Sequence, residues 1–209
     1  MAKYGTRYPV FAIFDSSTPE TDDALPTYQA GKVLGKLASV TITLNVPEAE
    51  YYADDGIAEK AVEFTSGDGE LECDNITDDN MAALYGATVT DGEVVQTTDD
   101  ELPYFGLGFV QSKMVNAQKE YVAHIYPKCK AKPAGVSGTT KGANISFTGE
   151  PFSFTVFSPD YTDGGYHIFK KFDDADDAKE YLDDFFGIEA ASGTETQPAN
   201  PGTGGTSGT

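Results

Sequence analysis

The chain has 209 residues, 39% of them apolar, and a net charge of −20 from 14 basic and 34 acidic side chains. A length of this order suits one domain with an appendage. It lets folding bury roughly 70% of the surface of the unfolded chain, so stability requires neither a metal nor a disulfide. The acidity excludes a protein that grips phosphates, because that affinity comes largely from Lys and Arg displacing counterions.

The charge is unevenly spread. Residues 47–101 carry 17 acids and one base, Lys60, summing to −16, whereas residues 113–141 carry six Lys and one acid, Glu120, summing to +5. Two readings stay open: solubilising charge scattered over the surface, or complementary patches through which copies join head to tail. Cys73 and Cys129 are too few for a disulfide framework and read as buried apolar residues. The longest apolar run near the start, Val10 to Phe14, follows Pro9 and does not make a secretion signal, and no stretch reaches the roughly 18 apolar residues of a membrane span. Synthesis in a cytosol without membrane attachment is therefore expected. Asn75-Ile76-Thr77 and Asn144-Ile145-Ser146 match the glycosylation sequon by chance on this reading.

In chain order, the first 30 residues read as irregular, with a short strand at Val10–Phe14 and a loop from Asp15 to Pro26. Ser39–Val46 alternates without a break, which predicts a strand with Val40, Ile42, Leu44 and Val46 on the core face, and Pro47 stops it. Residues 48–60 read as a long acidic connection. Its adjacent tyrosines, Tyr51 and Tyr52, either fold back on their own domain or cover a neighbouring subunit. Ala61–Thr65 and Gly69–Asn75 read as a strand pair around a Ser66-Gly67-Asp68-Gly69 turn.

A short helix follows, capped by Thr77 or Asp78, with Met81, Leu84 and Tyr85 on one face and Gly86 ending it. Strands are predicted at Val89–Thr97 with an inner Asp91-Gly92 turn, at Tyr104–Met114, Tyr121–Lys130, Ile145–Phe147 and Phe152–Phe157. Asp163-Gly164-Gly165 turns into a last strand at Tyr166–Phe172. Asp174–Phe186 reads as a helix with aspartates in its first turn, an Ala178, Leu182 and Phe185 stripe, and Gly187 at its end. Residues 190–209 are Gly-, Thr- and Pro-rich and cannot bury a core. The expected organisation is one domain over 1–189 and a flexible tail over 190–209. The fold class is mainly β: a β-sandwich or half-open barrel of eight or more strands, with a flanking mid-chain helix and a C-terminal helix.

Chemistry is sparse. His124 and His167 sit in strand runs and read as structural, and no third ligand falls at zinc spacing. No nucleophile motif, phosphate loop or dinucleotide fingerprint is present. The Asp173-Asp174-Ala175-Asp176-Asp177 run lacks the Gly and closing acid of a calcium loop and reads as a helix start. The expectation is no catalytic residue, no cofactor and no metal.

Residues 51–86 carry a more specific pattern. Tyr51-Tyr52-Ala53-Asp54-Asp55-Gly56, Ala58-Glu59, Phe64, Ser66-Gly67 and Met81-Ala82-Ala83-Leu84-Tyr85-Gly86-Ala87 resemble the major tail tube protein family of long non-contractile phage tails. The resemblance covers roughly residues 35–158. It implies a β-sandwich with a flanking helix that assembles into stacked hexameric rings, lining a lumen through which DNA passes without specific binding. It also implies a tape-measure protein and a tail terminator as partners, and a place in the virion tail after synthesis in the host cytoplasm. Tyr51, Tyr52, Asp54 and Asp55 of the loop would contact the next subunit or ring. From the charge pattern, Lys128, Lys130 and Lys132 are expected to meet a neighbour's acidic 47–101 region. The competing readings are a monomeric receptor-binding or decoration module on a flexible tether, a hydrolase using paired carboxylates, and a calcium-dependent structural protein.

Overall fold

The computed structural model describes residues 2–17, 25–53, 56–90, 92–133, 149–160 and 165–188. The expected strand at Ile145–Phe147, Asp163 and Gly164 of the expected turn, the second sequon and the 190–209 tail lie outside them. The chain is mainly β, as expected. Strands β1 (Ala2–Ile13), β2 (Lys32–Val33) and β3 (Leu37–Asn45) open it; β4 (Glu48–Ala53), β5 (Gly56–Val62) and β6 (Ser66–Cys73) follow. After helix α1 (Asp78–Tyr85) come the small pair β7 (Thr88–Thr90) and β8 (Glu93–Val95), then the long strands β9 (Tyr104–Val115) and β10 (Gln118–Lys132). Strands β11 (Glu150–Phe157) and β12 (Ile168–Phe172) precede helix α2 (Ala175–Phe186).

One antiparallel sheet runs in the order β2-β1-β9-β10-β11-β6-β3, with β12 also on β10. Along one side β10 pairs with β9. On the other it pairs with β12 through Tyr121–Ile125 and with β11 through Lys128–Lys132. The register to β9 shifts between Tyr126 and Cys129, a bulge that holds Pro127. Proline suits a bulge because it has no N–H to give a ladder. The Tyr28 hydroxyl donates to the Pro127 carbonyl at 2.8 Å. Across this bulge the core-facing side chains change parity, from Tyr126 to Cys129 and Ala131. The sheet thereby folds into two layers, β2-β1-β9-β10-β12 and β10-β11-β6-β3.

Phe11, Phe105, Leu107 and Phe109 of the first layer meet Leu71, Phe152, Phe154 and Val156 of the second, and Ile76, Leu84 and Tyr85 close one end. Each such buried side chain contributes on the order of 2 kcal/mol. The expected Ser66–Gly69 turn is instead continuous strand. Gly69 stands opposite Phe154, whose ring lies where a Cβ would be, only 2.2 Å away. The glycine makes room for an aromatic ring and does not reverse the chain.

Other sequence expectations are corrected too. The irregular N-terminus is a 12-residue strand, with bulges after Lys3 and Arg7 where Gly5 and Tyr8 take positive φ of 67° and 56°. The expected acidic connection is the antiparallel pair β4–β5. Of the four residues expected on the core face, Val40 and Ile42 of β3 pack on the core, but Leu44 near its end and Val46 beyond it are 40% and 37% exposed, where the chain leaves the sandwich for that pair. Both helices keep their expected ends. Thr77 and Asp174 cap the starts through their side chains, and Gly86 and Gly187 end them in the left-handed region.

Helix α2 covers the outer face of the first layer. Ala178, Leu182 and Phe186 pack on Val10, Ala12, Val110, Ala123 and Ile125, with Phe185 half-buried beside Tyr28. The bulge at Tyr8 sends its ring to the same face, and its hydroxyl donates to Asp183 Oδ1 at 2.7 Å. Burial raises the Asp183 pKa against the pull of that hydrogen bond. The helix sits close because β9 presents glycines: a Cβ on Gly108 would lie 2.7 Å from Phe186 and 3.0 Å from Leu182. Gly108→Ala should therefore lower stability by about 1–3 kcal/mol, the cost of overpacking, in urea unfolding with an unchanged m-value. The β9–β10 turn tests the opposite sign. Asn116 and Ala117 take φ of 50° and 64°, the two left-handed positions of a tight hairpin turn. Ala117→Gly should raise stability by up to about 1 kcal/mol, because the Cβ penalty of the left-handed region exceeds glycine's extra unfolded-state entropy.

Candidate assembly surfaces

Three surfaces stand out, and each follows from the two-layer fold. The first is the outer face of β10-β11-β6-β3. Side chains directly opposite one another point to the same side of a sheet. One row therefore holds Lys132, Ser153, Glu70 and Thr41, and the next Lys130, Thr155, Asp68 and Thr43. Lys132 donates to the Asp68 carboxylate within this face. Neither helix covers it: α1 closes the core and α2 lies on the other layer.

The second is the β4–β5 ribbon. Strands β3 and β6 pair from Leu37↔Cys73 to Asn45↔Ser66, and Thr65 N–H donates to Asn45 O at 3.2 Å. Past Pro47, β4 and β5 continue the same hairpin from Glu48↔Val62 to Ala53↔Gly56. Proline there lacks the N–H a ladder needs, which separates the two halves. The distal half forms a two-stranded sheet of its own and no ladder with another strand among the described residues. Tyr51 and Tyr52 lie on this ribbon, opposite Glu59 and Ile57. Asp54 and Asp55 fall outside the described residues.

The third is a groove between β3 and the β9-β10-β12 layer, lined by Val40, Ile42, Phe109, Gln111, His124, Tyr126 and His167. His124 Nδ1 and His167 Nε2 are 2.9 Å apart, with ring planes within 9°. His124 stacks on Phe109 and His167 on Tyr126, at centroid distances of 5.2 and 4.6 Å. Phe169 stands on the rim, 59% exposed. Nothing in the sequence signals the pair, which a separation of 43 residues and the β10–β12 register bring together.

The three lysines expected at a contact do not behave alike. Lys128 is 6% exposed and its ammonium lies 3.0 Å from Asp160 Oδ2 and 4.9 Å from the Tyr104 ring centroid. It is bonded within its own chain. Lys130 reaches over the same ring at 5.0 Å, and Lys132 spends its charge on Asp68. The acidic and basic segments thus meet partly within one molecule. Asp160, Tyr104 and Asp68, unmarked by the sequence reading, are the partners. Both thiols are buried, and burial pushes Cys73 up to about 12 and Cys129 well above its ordinary value, so neither is a thiolate at neutral pH.

No family model matches the chain, and no curated protein matches it significantly. No described helix is long and apolar enough to cross a membrane.

The two ion pairs should separate by environment. Asp160→Ala leaves a buried ammonium short of a partner and should cost about 1–2 kcal/mol in chemical denaturation. Asp68→Ala removes a solvent-exposed partner and should cost under about 0.5 kcal/mol.

Proposed function

We propose that this chain is a non-catalytic structural protein that polymerises, as stacked hexameric rings, into a phage tail tube conducting DNA. The carrying observation is the β3–β6 hairpin, whose distal half, β4–β5, runs on past the sandwich without joining another described strand. An isolated two-stranded ribbon is at best marginal in water. One that persists in a working protein needs a second surface to pack on, and a neighbouring copy supplies it. The ribbon also holds Tyr51, Tyr52, Ala53 and Gly56, part of the pattern that carries the resemblance. Tape-measure and terminator proteins enter as partners through that resemblance alone.

The polar face of β10-β11-β6-β3 is the surface suited to a bore. It offers hydroxyls and carboxylates, and its exposed ammonium Lys132 is neutralised by Asp68. Six copies carry −120 in all. The charges named on this face, Lys130 and Lys132 against Asp68 and Glu70, balance, so it offers a passing duplex no net positive charge to bind, and charge more than a Debye length of about 8 Å away is largely screened. Lys130, at the rim of that face, would meet a neighbour's acids, and Lys132 would do so by exchanging Asp68 for one of them.

Negative-stain microscopy of the purified chain at high concentration tests the reading. Hollow rings or tubes are expected, whereas a lone compact particle overturns it. Replacing residues 48–62 with a two-residue turn should leave a folded chain, by circular dichroism, that forms no tubes. Reversing Lys130 and Lys132 to Glu should slow polymerisation, and undiminished assembly at physiological salt would remove the charge pairing from the account.

A further inference from the structure

We propose that the His124–His167 pair is a proton-operated clasp that holds β12 to the mouth of the sandwich at neutral pH and releases it when both rings are protonated. The inference stands apart from the assembly reading, since it concerns the folded chain alone.

The geometry is specific. His167 precedes β12, the outermost strand on that side of β10, and β12 holds β10 through only five register pairs. An imidazole–imidazole hydrogen bond needs one N–H and one lone pair. A neutral pair satisfies this, and so does a pair sharing one extra proton. Two imidazolium rings cannot, because an N–H then faces an N–H and two like charges sit within one groove.

The groove around the pair is lined mostly by uncharged side chains. Phe109 and Gln111 face the pair from β9, Tyr126 from β10, Phe169 from β12, and Val40 and Ile42 from β3. Tyr126 is the titratable member, and burial, followed by Cys129 and Tyr166, pushes its hydroxyl up to about 12, so it stays neutral. By register, Lys113, Glu120 and Lys171 lie further along the same faces of β9, β10 and β12. Two of these three are cations, which further disfavour protonation.

Burial lowers the His167 pKa. A depressed folded-state value means that the unfolded chain binds the proton more readily. The pair's stabilising contribution is therefore complete above the unfolded value of about 6.5 and is lost as pH falls through the folded value. The readout is local: the β12 ladder opens before the core does, because Ile168–Phe172 is an edge element.

The chain has only two histidines, so their ring protons can be followed in the wild-type protein by NMR. Two separated protonation steps are expected, the second below the ordinary histidine range. Amides of Ile168–Phe172 should lose protection together with it, by roughly tenfold between pH 7.5 and 5 after correction for intrinsic exchange. His124→Phe keeps a ring on Phe109 and removes the shared proton and the second charge, so the pH response of β12 protection should shrink to what the burial of His167 alone leaves. Two independent titrations near 6.5, wild-type β12 protection that does not change with pH, or an unaltered pH response in His124→Phe would each overturn the clasp. The wild-type titration decides the matter even if the variant fails to fold.

Discussion

The structure depends on one strand belonging to two layers. Without the bulge at Pro127, the alternation along β10 would keep even-numbered residues on the core face for its whole length. Lys128, Lys130 and Lys132 would then point into the apolar interior, and Cys129 and Ala131 out of it. The extra residue reverses the parity, turning the three lysines away from the main core, with Lys128 still buried, and putting two small residues inside it. It also separates the positions where β12 and β11 can pair, which divides the sheet. Tyr28 braces the bend from the loop after β1, and its ring packs edge-on to Phe186 of α2. The bend, the two cores and the seat of the C-terminal helix are thus mechanically linked.

The same parity decides the electrostatics. A segment of +5 and a segment of −16 look like surfaces for two different molecules when laid out along the chain. Folding sets β10 and β6 on either side of β11, so part of that complementarity is used within the protein, through Lys132 and Asp68. Lys128 goes further: it is buried on Tyr104 and bonded to Asp160. What remains outside is mostly negative charge. If copies associate, their contact has to draw more on backbone edges and apolar area than on opposite charge, since solvent-exposed pairs contribute little.

Features encoded locally were legible. Thr77 and Gly86, Asp174 and Gly187 bracket helices by capping chemistry that needs no tertiary information, and the alternation at Ser39–Asn45 marks a strand. The mainly β class followed from many short runs of this kind. Features fixed by distant partners were not. Gly67 and Gly69 resemble a turn until Phe154, opposite Gly69, is known to need the space. The β4–β5 ribbon was hidden by its acidic composition, although Asp55-Gly56 between runs of similar length is a hairpin signal. The histidine pair depends on the β10–β12 register, which no local pattern states.

The edge strand β3 gives the last constraint. It pairs with β6 on one side, and on its other side it forms no ladder with any strand among the described residues, although β1 lies close by. Proteins that remain single usually blunt such an edge with Lys, Pro, an inward charge or a bulge near its centre. Leu37–Asn45 contains no Lys, no Pro and no charged residue, and its one register shift lies at its very start. It leads into a ribbon whose last residue, Val62, is 55% exposed. A lone molecule would carry this nine-residue edge as a template for uncontrolled pairing. If copies close into a ring, the same edge is covered in every subunit, and the hazard becomes the contact that sets their geometry.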